Sequence, residues 1–374
     1  MNNSYAPLFQ PFKFSVSGIQ ISNRILMSPM TTWSGNNDGT VSEAEIAYYK
    51  RRAHGVGAVV TACAFVHPRG RGFAGQIGVH SDAMLPSLSR IAAVVKEGGS
   101  KAILQLYHGG RMCPPALLPD GQALSASNIP VAFGEAVPPR PMTEAEILET
   151  ITAYGDAARR AAKAGFDGVE IHGANGYLVQ QFFSPHANRR NDQWGGSTEG
   201  RLRFPLAVVE AVVSKAAEAG RPFIVGYRLS PEEIENPGIT MEDTLQLADA
   251  LAGCALDYVH TSTVNFWAGS LRDNEDKRLR ALMIYEHIGK RKPVIGVGSV
   301  RTPEDALRLL ESGVPLLAMG RELLMEPDWI EKIQSGRERS IRTTLSLNAR
   351  EELAIPEGLW KMMLGRKGWL PIAE

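Results

Sequence analysis

Short runs of aliphatic and β-branched residues alternate along the chain with longer stretches in which apolar positions recur every three or four residues. The short runs fall at Arg24–Met30, Ala58–Ala64, Ala102–Tyr107, Gly168–His172, Phe223–Arg228, Tyr258–Ser262, Pro293–Gly298 and Leu316–Gly320. Eight strand-like runs separated by helical patterns predict parallel strands joined by crossover helices. Several runs end in a polar residue or a glycine. This fits an α/β fold, a single (β/α)8 TIM barrel whose chemistry sits at the C-terminal ends of its strands, with an open doubly wound sheet as the alternative.

Helix-start signals support this register. Ser42 with Glu45, Thr143 with Glu146, and Thr302 before Pro303 each read as an N-cap with a first-turn partner. The helix that opens at Thr143 runs to Ala164, where Gly165 stops it. Between the third strand and this helix, about 112–141, a Pro-, Ala- and Ser-rich insertion is too long for an ordinary connection and reads as a lid over the barrel mouth. Pro11–Ile21 alternates around Ser17-Gly18 as a hairpin closing the lower end would. No linker or repeat interrupts the chain, so residues 1–335 form one barrel domain and 336–374 a C-terminal tail packed on it or on a neighbouring subunit.

Composition narrows the ligand. Lys+Arg and Asp+Glu balance at 40 each in 374 residues, and no basic block stands out, which argues against a nucleic-acid or anionic-membrane partner and for a small molecule. The N-terminus lacks the pattern of a secretory signal and no run is long enough to span a bilayer, so a cytoplasmic protein is expected. Cys63, Cys113 and Cys254 are too far apart for a C-x-x-C or iron–sulfur motif, and no metal is expected.

The most informative stretch is Val169-Glu170-Ile171-His172-Gly173-Ala174-Asn175-Gly176-Tyr177-Leu178. An apolar strand delivers a histidine at its C-terminal end, and the glycines let the backbone turn so that Asn175 and Tyr177 can face the same cavity. Three hydrogen-bonding groups then lie within six residues.

His172-Gly173-Ala174-Asn175-Gly176-Tyr177-Leu178, with Trp194-Gly195-Gly196-Ser197 after it, resembles the signature of the Old Yellow Enzyme family. Other strand ends agree: Ser28-Pro29-Met30-Thr31, Gln105-Leu106-Tyr107-His108-Gly109-Gly110-Arg111, Arg228, Gly298-Ser299 and Met319-Gly320-Arg321. The resemblance spans about Tyr5 to Trp329 in unbroken order.

It implies an FMN oxidoreductase, an ene-reductase that takes hydride from NAD(P)H and reduces the C=C bond of α,β-unsaturated carbonyl or nitro compounds. Gly298, Ser299, Gly320 and Arg321 would hold the phosphate, since barrels commonly bind phosphate after strands seven and eight. Gln105 would match the flavin's pyrimidine edge as donor and acceptor, and Arg228 would favour the reduced, anionic ring. Ser28, Pro29, Met30 and Thr31 would line the ring, and Ala62 would give it room. His172 and Asn175 would donate to the substrate carbonyl, Tyr177 would protonate the α-carbon, and Trp33 and Tyr107 would wall the pocket. FMN rather than FAD is expected, because no dinucleotide fingerprint accompanies the single phosphate site. A homo-oligomer is compatible with the resemblance: in some relatives a C-terminal arginine reaches a neighbour's active site, and Arg366-Lys367-Gly368-Trp369 is similar to that tail.

Three rivals compete. A flavin-free aldolase-type barrel would need a Schiff-base lysine or metal ligands at strand ends, and neither is present. A non-catalytic flavin-binding redox sensor is separated only by assay. A Rossmann enzyme fails because no G-x-G-x-x-G follows the first strand.

Overall fold

The computed structural model describes residues 3–132 and 137–373, so residues 133–136 of the expected lid lie outside the described residues. Eight parallel strands form a closed ring: β1 (Ile25–Met27), β2 (Ala58–Val60), β3 (Lys101–Tyr107), β4 (Gly168–Gly173), β5 (Ile224–Leu229), β6 (Tyr258–Thr261), β7 (Val294–Val297) and β8 (Leu316–Met319). Each pairs with its neighbours in sequence, and β8 pairs with β1 to close the barrel.

Two strand ends fall short of their apolar runs. β1 stops at Met27, leaving Ser28–Met30 outside the strand, and the Ala58–Ala64 run breaks after Val60 before Ala64–Phe65 pairs with the end of β3. Both segments leave regular pairing where the barrel mouth opens.

Every barrel strand is buried on both faces. Residues such as Val169 and Ile171 point outward into the large core shared with the helices, whereas Leu26, Ala58, Val60, Ile103, Ile224, Ile295 and Leu316 point inward and form a second cluster. This is why the strands read as continuous apolar runs rather than alternating ones. Phe12–Lys13 pairs with Gln20–Ile21 in the expected hairpin, with Gly18 turning at φ 70°, and Phe14 and Ile21 complete the inward cluster at the lower end.

Helix caps follow the sequence with one exception. Thr143 with Glu146 forms a capping box and Thr302 caps the helix that begins at Pro303. Ser42 caps its helix through the Glu45 N–H, but the Glu45 carboxyl turns inward to accept from the Thr32 hydroxyl. The insertion after β3 is fastened down: Arg111 donates to the Ile129 and Pro130 carbonyls, and Arg190 donates to those of Ala126 and Met142. The C-terminal segment lies on the same barrel, where the buried Arg52 donates to the Leu353 carbonyl and Leu359 and Met363 join the main core. No helix among the described residues is long and apolar enough to cross a membrane.

Phe14 is fully buried, with its ring 5.8 Å from that of Tyr258. Phe14→Ala would open a void beneath the barrel and should lower the unfolding free energy by about 3–5 kcal/mol in urea titration. A loss below about 1 kcal/mol would show that the hairpin contributes nothing as a plug.

Candidate active site

At the C-terminal end of β4 the alternation of the strand aims Glu170 and His172 into the barrel, and the chain then turns sharply. Asn175 (φ 57°) and Gly176 (φ 75°) both take the left-handed conformation, one that asparagine tolerates better than most residues. The Asn175 N–H donates to Ser230 Oγ at 2.9 Å, and its Oδ1 accepts from Ser262 Oγ at 2.9 Å. With its oxygen engaged, the amide presents N–H donors to a ligand.

His172 Nδ1 accepts the Ala174 N–H at 3.3 Å, which places the ring proton on Nε2. Burial, aided by the Arg228 charge, lowers its pKa to about 3, so the imidazole is a neutral donor. Tyr177 lies edge-on to His172 at 4.9 Å between centroids and to Tyr107 at 4.5 Å. Burial raises its pKa to about 12 and keeps the phenol protonated. The aromatic wall continues from Tyr107 to Phe73 at 6.3 Å and from Phe73 to Trp33 at 5.9 Å.

A cavity of about 260 Å³ opens beside these groups. Ser28, Pro29 and Met30 form one side of it, Asn175 and Arg228 another, and Gly298, Ser299, Gly320 and Arg321 its far end. Chain reversal after β7 depends on Gly298 (φ 117°), where a Cβ would lie 2.8 Å from the Thr263 carbonyl oxygen. A Cβ on Gly320 would lie 2.7 Å from Met30 Sδ. Arg321 is held by the Val264 carbonyl at 2.9 Å and Ser299 Oγ at 3.3 Å. Arg301 and Trp369 line the same end, and sequence reasoning assigned neither to it.

The remaining expected residues do not line this cavity. His172, Tyr107, Tyr177 and Trp33 belong to the adjoining aromatic wall, and Ala62 is buried with its N–H donating to the Tyr49 hydroxyl at 2.7 Å. Thr31 is half-buried between the cavity-lining Met30 and Thr32. Gln105 is not a free amide: its Nε2 donates to Glu170 Oε1 at 2.7 Å. Glu170 was the functional candidate the sequence reading passed over, although an acid inside an apolar strand was its signal. Its Oε2 accepts from the Tyr258 hydroxyl at 3.0 Å and lies 2.9 Å from His260 Nδ1.

Whether these residues suit FMN is decided by two unusual groups. Arg228 is 8% exposed, its Nε is buried without a partner, and its guanidinium makes no hydrogen bond or ion pair among the described residues. A buried cation so placed calls for an anionic or carbonyl-rich ligand. At the far end of the cavity, Glu322 is buried with both oxygens unpartnered, and burial raises its pKa to about 8. Burial thus favours its neutral form, which does not offset the positive charge of Arg321 and Arg301. The donor set fits the cofactor.

The fold and this site define a flavin-binding barrel oxidoreductase. A sequence model of the NADH:flavin oxidoreductase / NADH oxidase family matches residues 7–340, and the chain belongs to that family, the Old Yellow Enzyme family of the sequence reading. It is 46% identical, over the full length of both chains, to a probable NADH-dependent flavin oxidoreductase of Bacillus subtilis. It is also 42% identical to an NADH:fumarate oxidoreductase of Klebsiella pneumoniae, matching 96% of this chain but only 39% of that longer protein. Among solved structures, an Old Yellow Enzyme homologue from Zymomonas mobilis superposes with a TM-score of 0.77 at 26% identity, covering 94% of this chain and 98% of that one. Morphinone reductase in complex with tetrahydroNAD gives 0.77 at 27% identity, covering 98% of each. The protein is an NAD(P)H-dependent oxidoreductase whose cofactor is FMN.

Burial holds the His172 and His108 imidazoles down to about 3. Unfolded, each titrates near 6.5, so between these values the unfolded chain binds a proton that the folded chain refuses. Their stabilising effect is complete above about pH 6.5 and is lost as pH falls, at about 1.4 kcal/mol per pH unit for each imidazole. His172→Gln should make the acid-side slope of unfolding free energy shallower by that amount. An unchanged slope would show that His172 is already protonated in the folded chain.

Proposed function

We propose that the protein is an ene-reductase that reduces the C=C bond of α,β-unsaturated carbonyl or nitro compounds. When bound, FMN carries hydride between NAD(P)H and the alkene. The observation that carries this reading is the set of neutral proton donors at the end of β4. His172 Nε2–H and the Asn175 amide can both donate to a carbonyl oxygen, and the Tyr177 phenol stands beside them. Donors aimed at an oxygen that gains negative charge withdraw electron density from the alkene and favour attack at its β-carbon. Tyr177 then gives its proton to the α-carbon.

Cofactor roles divide along the barrel mouth. Gly298, Ser299, Gly320 and Arg321 would hold the phosphate, Arg228 and Gln105 the pyrimidine edge, and Ser28, Pro29, Met30 and Thr31 one face of the ring, with Ala62 giving it room. Trp33 and Tyr107 would bound the substrate. Residues 1–335 would act as one FMN-binding unit, with 336–374 packed against it. Relatives named for fumarate and acrylate support this substrate class, both being alkenes conjugated to a carboxyl group.

Two half-reactions test the proton donor separately from the rest. Tyr177→Phe keeps the ring and most of its packing, so anaerobic NADPH or NADH should bleach the flavin about as fast as in wild type. Recovery of the yellow colour with cyclohexenone should slow by about 10²–10⁴. Nitroalkenes should be affected less, because water can protonate a stable nitronate afterwards. Equal slowing of both half-reactions, or of neither, would remove Tyr177 as the acid.

A further inference from the structure

Beneath the cavity lies a layer of polar side chains of which the reading above uses only Gln105 and Arg228. Strand register brings them together: Gln105 of β3 stands opposite Glu170 of β4, Glu170 opposite Gly226 of β5, and Gly226 opposite Tyr258 of β6. Arg228, one step further along β5, lies opposite both His172 and His260. A side chain at position 226 is excluded, since its Cβ would lie 2.1 Å from the Tyr258 ring. That missing side chain lets the Tyr258 hydroxyl reach across to Glu170. The carboxylate thus collects Gln105, Tyr258 and His260, all buried.

Burial opposes ionisation of Glu170, but the hydrogen-bonding His260 and Gln105 side chains and the Arg228 charge outweigh it and hold the acid below the ordinary carboxylate range. Burial also lowers His260, despite the carboxylate beside it, so the pair is a carboxylate and a neutral imidazole. The cation that balances Glu170 is Arg228. No ion pair within 4.0 Å joins the two, so the arginine's donors remain free for a ligand while its charge is partly offset. The lower barrel layers are filled by aliphatic side chains, which is the cheaper way to occupy this space.

We propose that Glu170 is a positioning residue for the flavin site. It fixes which end of the Gln105 amide faces the cofactor, and it sets the reduction potential by offsetting the Arg228 charge without consuming its hydrogen bonds. The inference rests on the flavin reading. With Glu170 in place, the protein stabilises the anionic reduced ring far less than a lone buried arginine would. Without it, reduction becomes easier.

The test is the midpoint potential of the FMN-loaded protein, measured by dye equilibration. Glu170→Gln keeps the shape and removes the charge. One unit charge acting across a side-chain layer at an effective dielectric of about 20 should shift the reduced-to-oxidised ratio toward reduced by roughly 10- to 100-fold. For a two-electron couple this is a rise of about 30–60 mV. Tyr258→Phe removes one hydrogen bond but keeps the carboxylate, so its potential should stay within about threefold of wild type on the same scale. An unchanged potential in Glu170→Gln, or an equal rise in Tyr258→Phe, would overturn the proposal.

If Glu170→Gln does not fold, wild type decides. Its potential should lie within about tenfold of free FMN on that scale, and a large rise above free FMN would mean that Arg228 acts unopposed. Protein that takes up no FMN, seen first as a colourless preparation, would remove the flavin reading itself and the proposal with it. A yellow protein with the wrong potentials would remove only the role of Glu170.

Discussion

A carboxylate shielded from water at the centre of the barrel constrains everything above it. Glu170 is fully buried, and an uncompensated charge there would unfold the protein or take up a proton. The structure keeps it ionised with an amide, a phenol and an imidazole in contact and a guanidinium one layer above. The partners come from three other strands, β3, β5 and β6, so closure of the barrel and ionisation of the acid depend on each other. Below this layer the interior is apolar and sealed by Phe14.

The same burial sorts the groups around the mouth by charge. His172 is neutral because burial and Arg228 oppose its proton, Tyr177 because burial opposes loss of its proton, and Glu322 because burial opposes its ionisation. Arginines keep their charge through all of this. The cavity is therefore lined by the Asn175 amide and by Arg228, Arg321 and Arg301, while the neutral His172 and Tyr177 stand in the adjoining wall. Such a lining suits an anionic, carbonyl-rich ligand and leaves a pair of uncharged donors, His172 and Asn175, at the β4 end.

What could be read from the sequence was local. Eight apolar runs, the Thr143 and Thr302 caps and the turn at Gly18 each state their structure within a few residues, and the resemblance rests on motifs of similar length. The strand ends were overrun at Met27 and Val60, because a strand that leaves the ladder at a barrel mouth stays as apolar as one that continues. Glu45 looked like the first-turn partner of Ser42, but it instead meets Thr32, thirteen positions earlier. Glu170 was harder to read. Its partners lie 65, 88 and 90 residues away, and only the register of four strands brings them within reach.

Precision at the β4 loop follows from the same register. Asn175 is on a turn, where side chains are ordinarily mobile, yet its backbone is tied to Ser230 beyond β5 and its amide to Ser262 beyond β6. Both anchors follow directly on strands that pair with each other and, through β5, with β4. The amide is thus positioned by three strand ends rather than by the loop that carries it, and its left-handed backbone, costly in a free turn, is held by contacts on both sides. Arg228 is placed by the same strands, two residues before Ser230. The donor proposed for a substrate oxygen and the cation proposed for the cofactor therefore share one rigid frame, and a shift in the register of β5 would misplace both together.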